Sequence, residues 1–249
     1  GHIAVAFITA KHKGMNASGT NRQALRTFFY EYLAEPFYDT KEDAPDSAIN
    51  DREANYGSGE RMTEAPDFKA IYIARQKEVL GAVDVQKDTL WFAAREYVDG
   101  GDSGLVAWQH AVTWADIDRA AVEFKVDCLG VDFGYDLRAM EVFDYAARTT
   151  EANGGVQWVI PLKGSDKLTD AVVRQARDAY EGRKGGGRGV TVETYQWRTH
   201  TFRLLMLQMM RGESLQAWRV YRDIEAEYAK QATSQECRDG VWRFRAGHS

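Results

Sequence analysis

Cysteine is scarce in this 249-residue chain, and its scarcity excludes several kinds of site. The two cysteines, Cys128 and Cys237, lack the spacing of a metal-binding motif, so neither a zinc site nor a disulfide framework is expected. Long hydrophobic runs are also missing, and the longest, such as 204–210, are far too short to span a bilayer. The N-terminus has no basic stretch followed by an apolar core. We therefore expect a soluble, non-secreted protein of a reducing compartment.

A net positive charge, common in nucleic-acid-binding domains, is lacking too, because the formal net charge is −5. The charge is unevenly spread. Residues 39–67 contain nine acidic and three basic residues, a balance of −6, whereas residues 174–211 contain eight basic and three acidic residues, a balance of +5. The later segment is therefore the candidate for contacts with phosphate groups. A hydrophobic fraction of 44% indicates a globular chain, long enough for one large domain or one domain with an appended segment.

The hydrophobic pattern changes near residue 67, where we place a domain boundary. Before it, residues 3–9 alternate as a strand, and residues 21–33 carry apolar positions on one helical face. Residues 34–67 are acidic and contain three prolines, so they are predicted to form an extended linker. From residue 68 the apolar positions become dense, which predicts a folded domain over 68–249.

The folded region begins with strands and continues with alternating helices and strands. Three strands are predicted first, at 71–86, 89–97 and 105–112, and a Gly-Gly turn within 99–104 joins the last two as a hairpin. Thr113 is expected to cap a helix at 114–124, with Asp116 completing the cap. The remaining elements are a strand ending at Asp132, helices at 136–149, 168–180, 199–210 and 215–231, and strands at 156–162, 190–195 and 241–244. This order predicts an α/β fold in which a mixed β-sheet, three antiparallel strands and then parallel strands, is flanked by helices.

Two short segments carry the candidate site. Residues 79–88 (VLGAVDVQKD) and 128–135 (CLGVDFGY) are apolar, strand-like runs, each ending on one aspartate, Asp84 in the first and Asp132 in the second. An isolated aspartate at a strand end often only begins a turn or caps a helix. Two of them on two strands indicate a metal site, because Mg²⁺ prefers carboxylate oxygens. Two divalent ions about 4 Å apart can activate a nucleophile and stabilise a leaving oxygen in phosphodiester cleavage.

The order of these motifs resembles an RNase H-like nuclease core, with a first aspartate strand entering a hairpin and a second entering a helix. In particular, residues 68–249 resemble the nuclease domain of the large terminase subunit of tailed phages, in its lambda-like gpA branch. That family has a GVDVQ strand, similar to 81–86 with Ala82 inserted, and a VDxGY strand, similar to 131–135. Shorter similarities are Asp88 with Leu90, Glu141 with Val142, the strand end at 162–164, and the spaced set Tyr228, Gln231, Ser234 and Glu236. Residues 28–38 resemble the end of that family's motor region.

The resemblance implies a metal-dependent endonuclease domain that cuts concatemeric double-stranded viral DNA during genome packaging. Asp84 and Asp132 would be the catalytic residues and would hold two Mg²⁺ or Mn²⁺ ions. The family's third acidic ligand lies in an NHxxDC-like phrase, which we expect beyond Ser249, so the domain is expected to be truncated at its C-terminus and weakly active or inactive. The implied partners are double-stranded DNA, the small terminase subunit and the portal of the procapsid, in the host cytoplasm and without a membrane.

The resemblance does not extend to ATP hydrolysis, because the Gly-rich loop ending in GK[ST] is absent and residues 182–189 lack its spacing. Basic residues that could contact DNA are Lys163, Arg183, Lys184, Arg188, Arg198 and Arg203. Lys163 could instead finish a strand at the surface, and the Gly-rich basic loop could simply be solvated. Two other functions stay open: another RNase H-like nuclease or integrase, and a non-catalytic module that grips DNA or docks onto the packaging motor.

Overall fold

The computed structural model describes residues 43–45, 47–168, 172–178, 191–238 and 241–244. The chain divides into two compact units, Ala44–Ser234 and a second that combines Gly1–Asp43 with Gln235–Ser249. The elements predicted at 3–9 and 21–33 lie outside the residues that the structure describes.

The larger unit is built on one nine-stranded mixed sheet. Its strands are β1 (Glu53–Ala54), β2 (Lys77–Val85), β3 (Leu90–Val98), β4 (Ser103–Ala111), β5 (Cys128–Asp132), β6 (Val159–Ser165), β7 (Val172–Asp178), β8 (Thr191–Arg198) and β9 (Trp218–Tyr221). They lie in the order β1-β9-β4-β3-β2-β5-β6-β8-β7. The β2, β3 and β4 strands are antiparallel, and β5, β6 and β8 continue from β2 in parallel. The predicted fold class, three antiparallel strands followed by parallel strands, is confirmed.

Six α-helices and two 3-10 turns accompany this sheet among the described residues. The helices are α1 (Ser47–Asn50), α2 (Pro66–Tyr72), α3 (Trp114–Glu123), α4 (Ala139–Ala152), α5 (Thr199–Arg211) and α6 (Ala226–Ala232), and the 3-10 turns are Met62–Glu64 and Asp136–Arg138. The predicted cap of α3 is confirmed, because Thr113 Oγ1 accepts from the Asp116 N–H at 3.2 Å and Asp116 Oδ2 accepts from the Thr113 N–H at 2.8 Å. No helix in this part of the chain is both long and apolar enough to cross a membrane.

One face of the central strands forms the hydrophobic core. Val79, Val83 and Val85 alternate along β2 and are buried, because successive strand residues point to opposite faces of a sheet. The core cluster that contains them also includes Ile117 of α3 and Val142 of α4. The opposite face of β2 and β5 carries the polar residues of the candidate site.

The turn between β3 and β4 is the predicted hairpin turn. Gly100 and Gly101 have φ angles of 99° and 94°, a left-handed conformation that glycine adopts without steric cost. The Gly101 N–H donates to the Val98 carbonyl at 2.9 Å and closes the turn.

Two predicted helices are wrong. Residues 172–178 form β7, whereas the sequence predicts a helix over 168–180. The backbone pairs antiparallel with β8, from Val172 opposite Trp197 to Asp178 opposite Thr191, and this pairing overrides local helix preference. Similarly, the helix predicted at 215–231 is divided into β9 and the short α6, because β9 bridges β1 and β4.

Several residues within 44–45 and 47–67 are buried, so this described part of the predicted linker is folded and not extended. The β1 strand pairs in parallel with β9, and Tyr56 is buried with its hydroxyl donating to the Leu105 carbonyl at 2.9 Å. Met62 is also fully buried. The acidic composition predicted a linker wrongly, because the apolar residues of this segment are few. Those few include Tyr56 and Met62, which are buried. The first long strand, predicted at 71–86, starts later than expected. The α2 helix occupies Pro66–Tyr72, and β2 begins at Lys77.

The second unit contributes a short antiparallel hairpin to the described structure. Its strands are β10 (Gln235–Arg238) and β11 (Val241–Phe244), paired from Gln235 opposite Phe244 to Arg238 opposite Val241. The strand predicted at 241–244 is therefore confirmed.

Candidate active site

Asp84 and Asp132 lie at the carboxyl ends of two adjacent parallel strands in the middle of the sheet. The pairing of β2 with β5 runs from Leu80 opposite Cys128 to Val83 opposite Val131. One further step along both strands places Asp84 beside Asp132. Neighbouring strands are about 4.8 Å apart, so the two side chains leave the sheet from adjacent positions. Both point away from the core, because Val83 and Val131, one residue earlier, are buried in it.

Asp84 is exposed and is held by polar contacts from the following turn. Its Oδ2 accepts a hydrogen bond from Gln86 Nε2 at 2.9 Å. The Gln86 carbonyl in turn accepts from Arg138 Nη1 at 3.0 Å, and the same guanidinium bonds Glu141 Oε2 through Nη2 at 2.8 Å. Arg138 therefore ties the end of β2 to the start of α4, the helix that follows Asp132. The sequence does not single out this residue, since one arginine in a helix-forming segment gives no signal of its partner 52 residues away.

Asp132 is more enclosed, and its Oδ1 accepts from the Gly134 N–H at 3.0 Å. Burial raises the pKa of the Asp132 carboxyl above its usual range, and the negative charge of Asp84 acts in the same direction. The Gly134 hydrogen bond and the positive charge of Lys163 oppose these effects. The two carboxylates therefore repel each other, and a cation between them would remove that repulsion.

Gly130, two residues before this aspartate, allows close packing on the same face. A Cβ at Gly130 would lie 2.4 Å from Leu162 Cδ1, so a larger residue there would require the Leu162 side chain to move. Leu162 is the β6 neighbour of Asp132 in the sheet. The GVD motif thus combines a small residue that lets β6 pack closely with a carboxylate at the strand end.

The same face carries a row of side chains that crosses six strands. On one side of the aspartates, Trp91 pairs with Asp84, and His110 pairs with Trp91. On the other side, Leu162 pairs with Asp132 and Tyr195 pairs with Leu162. The tryptophans on this face were not singled out from the sequence. The available signal was the alternation carried through the β2–β3 hairpin, which places Trp91 on the same face as Asp84.

Three of the six predicted DNA contacts, Lys163, Arg198 and Arg203, lie among the described residues. Lys163 follows Leu162, so it leaves β6 on the opposite face from Asp132, and its Nζ lies 3.4 Å from Asp136 Oδ1 and 5.6 Å from the centre of the Phe133 ring. Arg198 ends β8 and Arg203 lies in α5, where burial lowers the pKa of its guanidinium. The other three, Arg183, Lys184 and Arg188, lie outside the described residues.

The donor set suits a hard divalent cation but is small. Carboxylate oxygens are the ligands that Mg²⁺ and Mn²⁺ prefer. Within the described ranges, no group of three or more histidine, cysteine, aspartate or glutamate residues could hold a metal ion. The pair Asp84 and Asp132 thus offers two ligands, and a third ligand beyond Ser249 stays a prediction.

In a comparison with protein families, the chain matches the model described as "Terminase large subunit gpA, endonuclease domain" over residues 1–247. No curated protein and no solved structure matches the chain. The family match spans nearly the full length and includes both aspartate motifs. The chain therefore belongs to the family of terminase large subunit gpA endonuclease domains.

Proposed function

We propose that this domain is the metal-dependent endonuclease that cuts concatemeric double-stranded viral DNA during genome packaging. Family membership gives the nuclease role in a terminase, and the carboxylate pair supports the metal dependence. The observation that carries the proposal is the placement of Asp84 beside Asp132 at the ends of two central strands, on the face away from the core.

In this proposal Asp84 and Asp132 hold Mg²⁺ or Mn²⁺, two ions in the complete site. Divalent ions supply an activated water and stabilise the leaving oxygen of a phosphodiester. The chain's own residues orient the ligands: Gln86 holds the Asp84 carboxylate, and the Gly134 N–H holds that of Asp132. Their fixed geometry lowers the cost of ordering the site when a cation arrives.

Substrate contacts are assigned to the basic stretch 174–211, on the charge balance of the sequence. Binding through phosphate neutralisation requires no base-specific contact and weakens as salt increases. The partners in the complete protein would be the small terminase subunit and the portal of the procapsid.

The test uses the complete terminase large subunit that contains this domain, with supercoiled plasmid as substrate and Mg²⁺ or Mn²⁺ present. Asp132→Asn and Asp84→Asn should each abolish cutting, since an amide lacks the charge that holds the cation. Asp99→Asn is the matched control, because it removes an exposed aspartate at the opposite end of the β2–β3 hairpin. Plasmid cutting by purified Asp132→Asn protein at the parental rate would refute the assignment.

A second candidate is a module that grips DNA without cutting it. The small donor set favours it for this chain, because the described residues provide only two neighbouring carboxylates. Calorimetric titration of the complete large subunit with Mn²⁺, in the absence of nucleotide, separates the two. Binding that is lost in Asp132→Asn supports the nuclease centre, whereas DNA affinity with no Mn²⁺ binding supports the gripping module.

A further inference from the structure

An aromatic cluster stands on the same face of the sheet as the carboxylate pair. The indoles of Trp91 and Trp108 stack with ring centres 4.8 Å apart and planes 9° from parallel. His110 meets Trp91 edge-on at 5.0 Å, and Tyr228 of α6 meets Trp108 edge-on at 5.6 Å. We call these four residues, Trp91, Trp108, His110 and Tyr228, the aromatic platform.

The platform begins one strand away from the proposed catalytic pair. Trp91 is the direct β3 neighbour of Asp84, so its Cα lies about 5 Å from that of the aspartate. A nucleotide whose phosphate lies at Asp84 would therefore have its sugar and base within reach of Trp91, since a nucleotide is longer than one strand spacing.

The cluster is anchored on one side and open on the other. Tyr228 packs on Trp108, and the Thr89 hydroxyl contacts the His110 ring, so the side chains are held in place. Trp91 nevertheless stays partly exposed, and His110 is exposed. Leu90 and Phe92, the neighbours of Trp91 along β3, are fully buried in the core on the other face. The fold therefore does not need Trp91 to complete its main core.

We propose that the aromatic platform stacks on an unpaired base of a DNA strand that lies across β3 beside Asp84, so that the domain binds locally melted DNA in preference to intact duplex, with or without metal. The choice of DNA as occupant rests on the proposed nuclease function. The choice of an unpaired base follows from geometry, because bases inside a duplex already have both faces covered by their neighbours. Stacking on an aromatic side chain accepts any base, since every base has a π face.

The test measures binding by fluorescence anisotropy in the presence of EDTA, so that neither metal binding nor cutting contributes. The probes are a short oligothymidylate, the same sugar-phosphate backbone without bases, and a fully paired duplex of equal length. Trp91→Leu removes the π face but keeps apolar volume, and Trp91→Phe keeps a smaller ring. Trp114→Leu is the matched control, because Trp114 stacks on Tyr145 within the helices that cover the other face. Circular dichroism and thermal unfolding confirm that each variant is folded.

We expect Trp91→Leu to weaken binding of the oligothymidylate by roughly 5- to 150-fold, the range measured for loss of one stacked base. Trp91→Phe should fall between Trp91→Leu and the parent, and Trp114→Leu should bind as the parent does. On the backbone without bases, Trp91→Leu and the parent should bind equally.

Three results would each overturn the inference: unchanged affinity of Trp91→Leu for the oligothymidylate, an equal loss on the backbone without bases, or tighter parental binding to the paired duplex than to the single strand. The nuclease proposal is tested by a different experiment, the plasmid assay, and it fails if cutting persists in Asp132→Asn. Because the stacking assay contains no metal, the two outcomes are independent.

Discussion

Replacing Asp132 with asparagine should stabilise the domain while it destroys the proposed activity. Burial and the charge of Asp84 both raise the pKa of Asp132, so the folded protein keeps this proton to a higher pH than the unfolded chain does. The ionised carboxylate therefore costs stability. The cost is absent in acid, below the unfolded pKa near 4, and is complete once the pH exceeds the folded pKa.

The size of the effect follows from the strand geometry. Two charges about 5 Å apart repel by roughly 0.8 kcal/mol in water and by roughly 3 kcal/mol at an effective dielectric constant near 20. Because Asp84 is exposed to solvent, we expect a value near the lower end, about 1 kcal/mol. For a domain of this size, 1 kcal/mol raises Tm by about 2–4 °C. The asparagine oxygen can still accept the Gly134 hydrogen bond, so that contribution is retained.

Thermal unfolding of the parent and the variant, with EDTA at pH 7.5 and again near pH 3.5, measures this prediction. Asp132→Asn should be more stable at pH 7.5 and equal to the parent in acid. Mn²⁺ at 100 times its Kd should then add about 2.7 kcal/mol to the parent and nothing to the variant, which reverses their order. A variant that is less stable than the parent in EDTA at pH 7.5 would show that the carboxylate makes a net favourable contact, and the repulsion argument would be wrong.

Three other perturbations test separate parts of the structure. Arg138→Met should lower the free energy of unfolding by about 1–2 kcal/mol and weaken Mn²⁺ binding, measured by calorimetry, because the Gln86 carbonyl loses a charged donor. Glu96→Ala should cost about 3 kcal/mol in urea unfolding, since the fully buried Glu96 accepts from both the N–H and the hydroxyl of Thr63; a loss below about 0.5 kcal/mol would contradict this. Replacing the basic residues of the Gly-rich loop with alanine should weaken binding to duplexes of any sequence and make the slope of log affinity against log salt shallower by up to about 3. An unchanged slope would show that these residues do not contact the DNA phosphates. The loop residues concerned are Arg183, Lys184 and Arg188.

Local patterns in the sequence were sufficient to predict the strands and the hairpin turn at the centre of the sheet. Alternating valines around Asp84 predict a strand with one buried face, and the Gly-Gly turn predicts the hairpin that follows. The Thr113 and Asp116 pair predicts a helix start within one residue. These features depend on interactions between residues near each other in the chain, so they can be identified without the fold.

Features that depend on pairing between segments far apart in the chain could not be predicted from the sequence. Residues 172–178, predicted as part of a helix, form a strand that pairs antiparallel with β8. The β9 strand likewise exists because β1 and β4 flank it, and these lie more than a hundred residues earlier. Arg138 and the aromatic platform were missed for the same reason, since their roles follow from which strands become neighbours.

Adjacent positions on the two central strands divide the work between stability and the proposed chemistry. Val83 and Val131 are 2% and 0% exposed and belong to the core, whereas the aspartates that follow them leave the sheet on the other face. Strand alternation forces this division, because a residue cannot serve both faces. The core face supplies hydrophobic stabilisation, which can offset the repulsion between two carboxylates held side by side. A site that costs stability when empty of cations is thereby placed where the fold is best able to bear it, on two strands at the centre of the sheet.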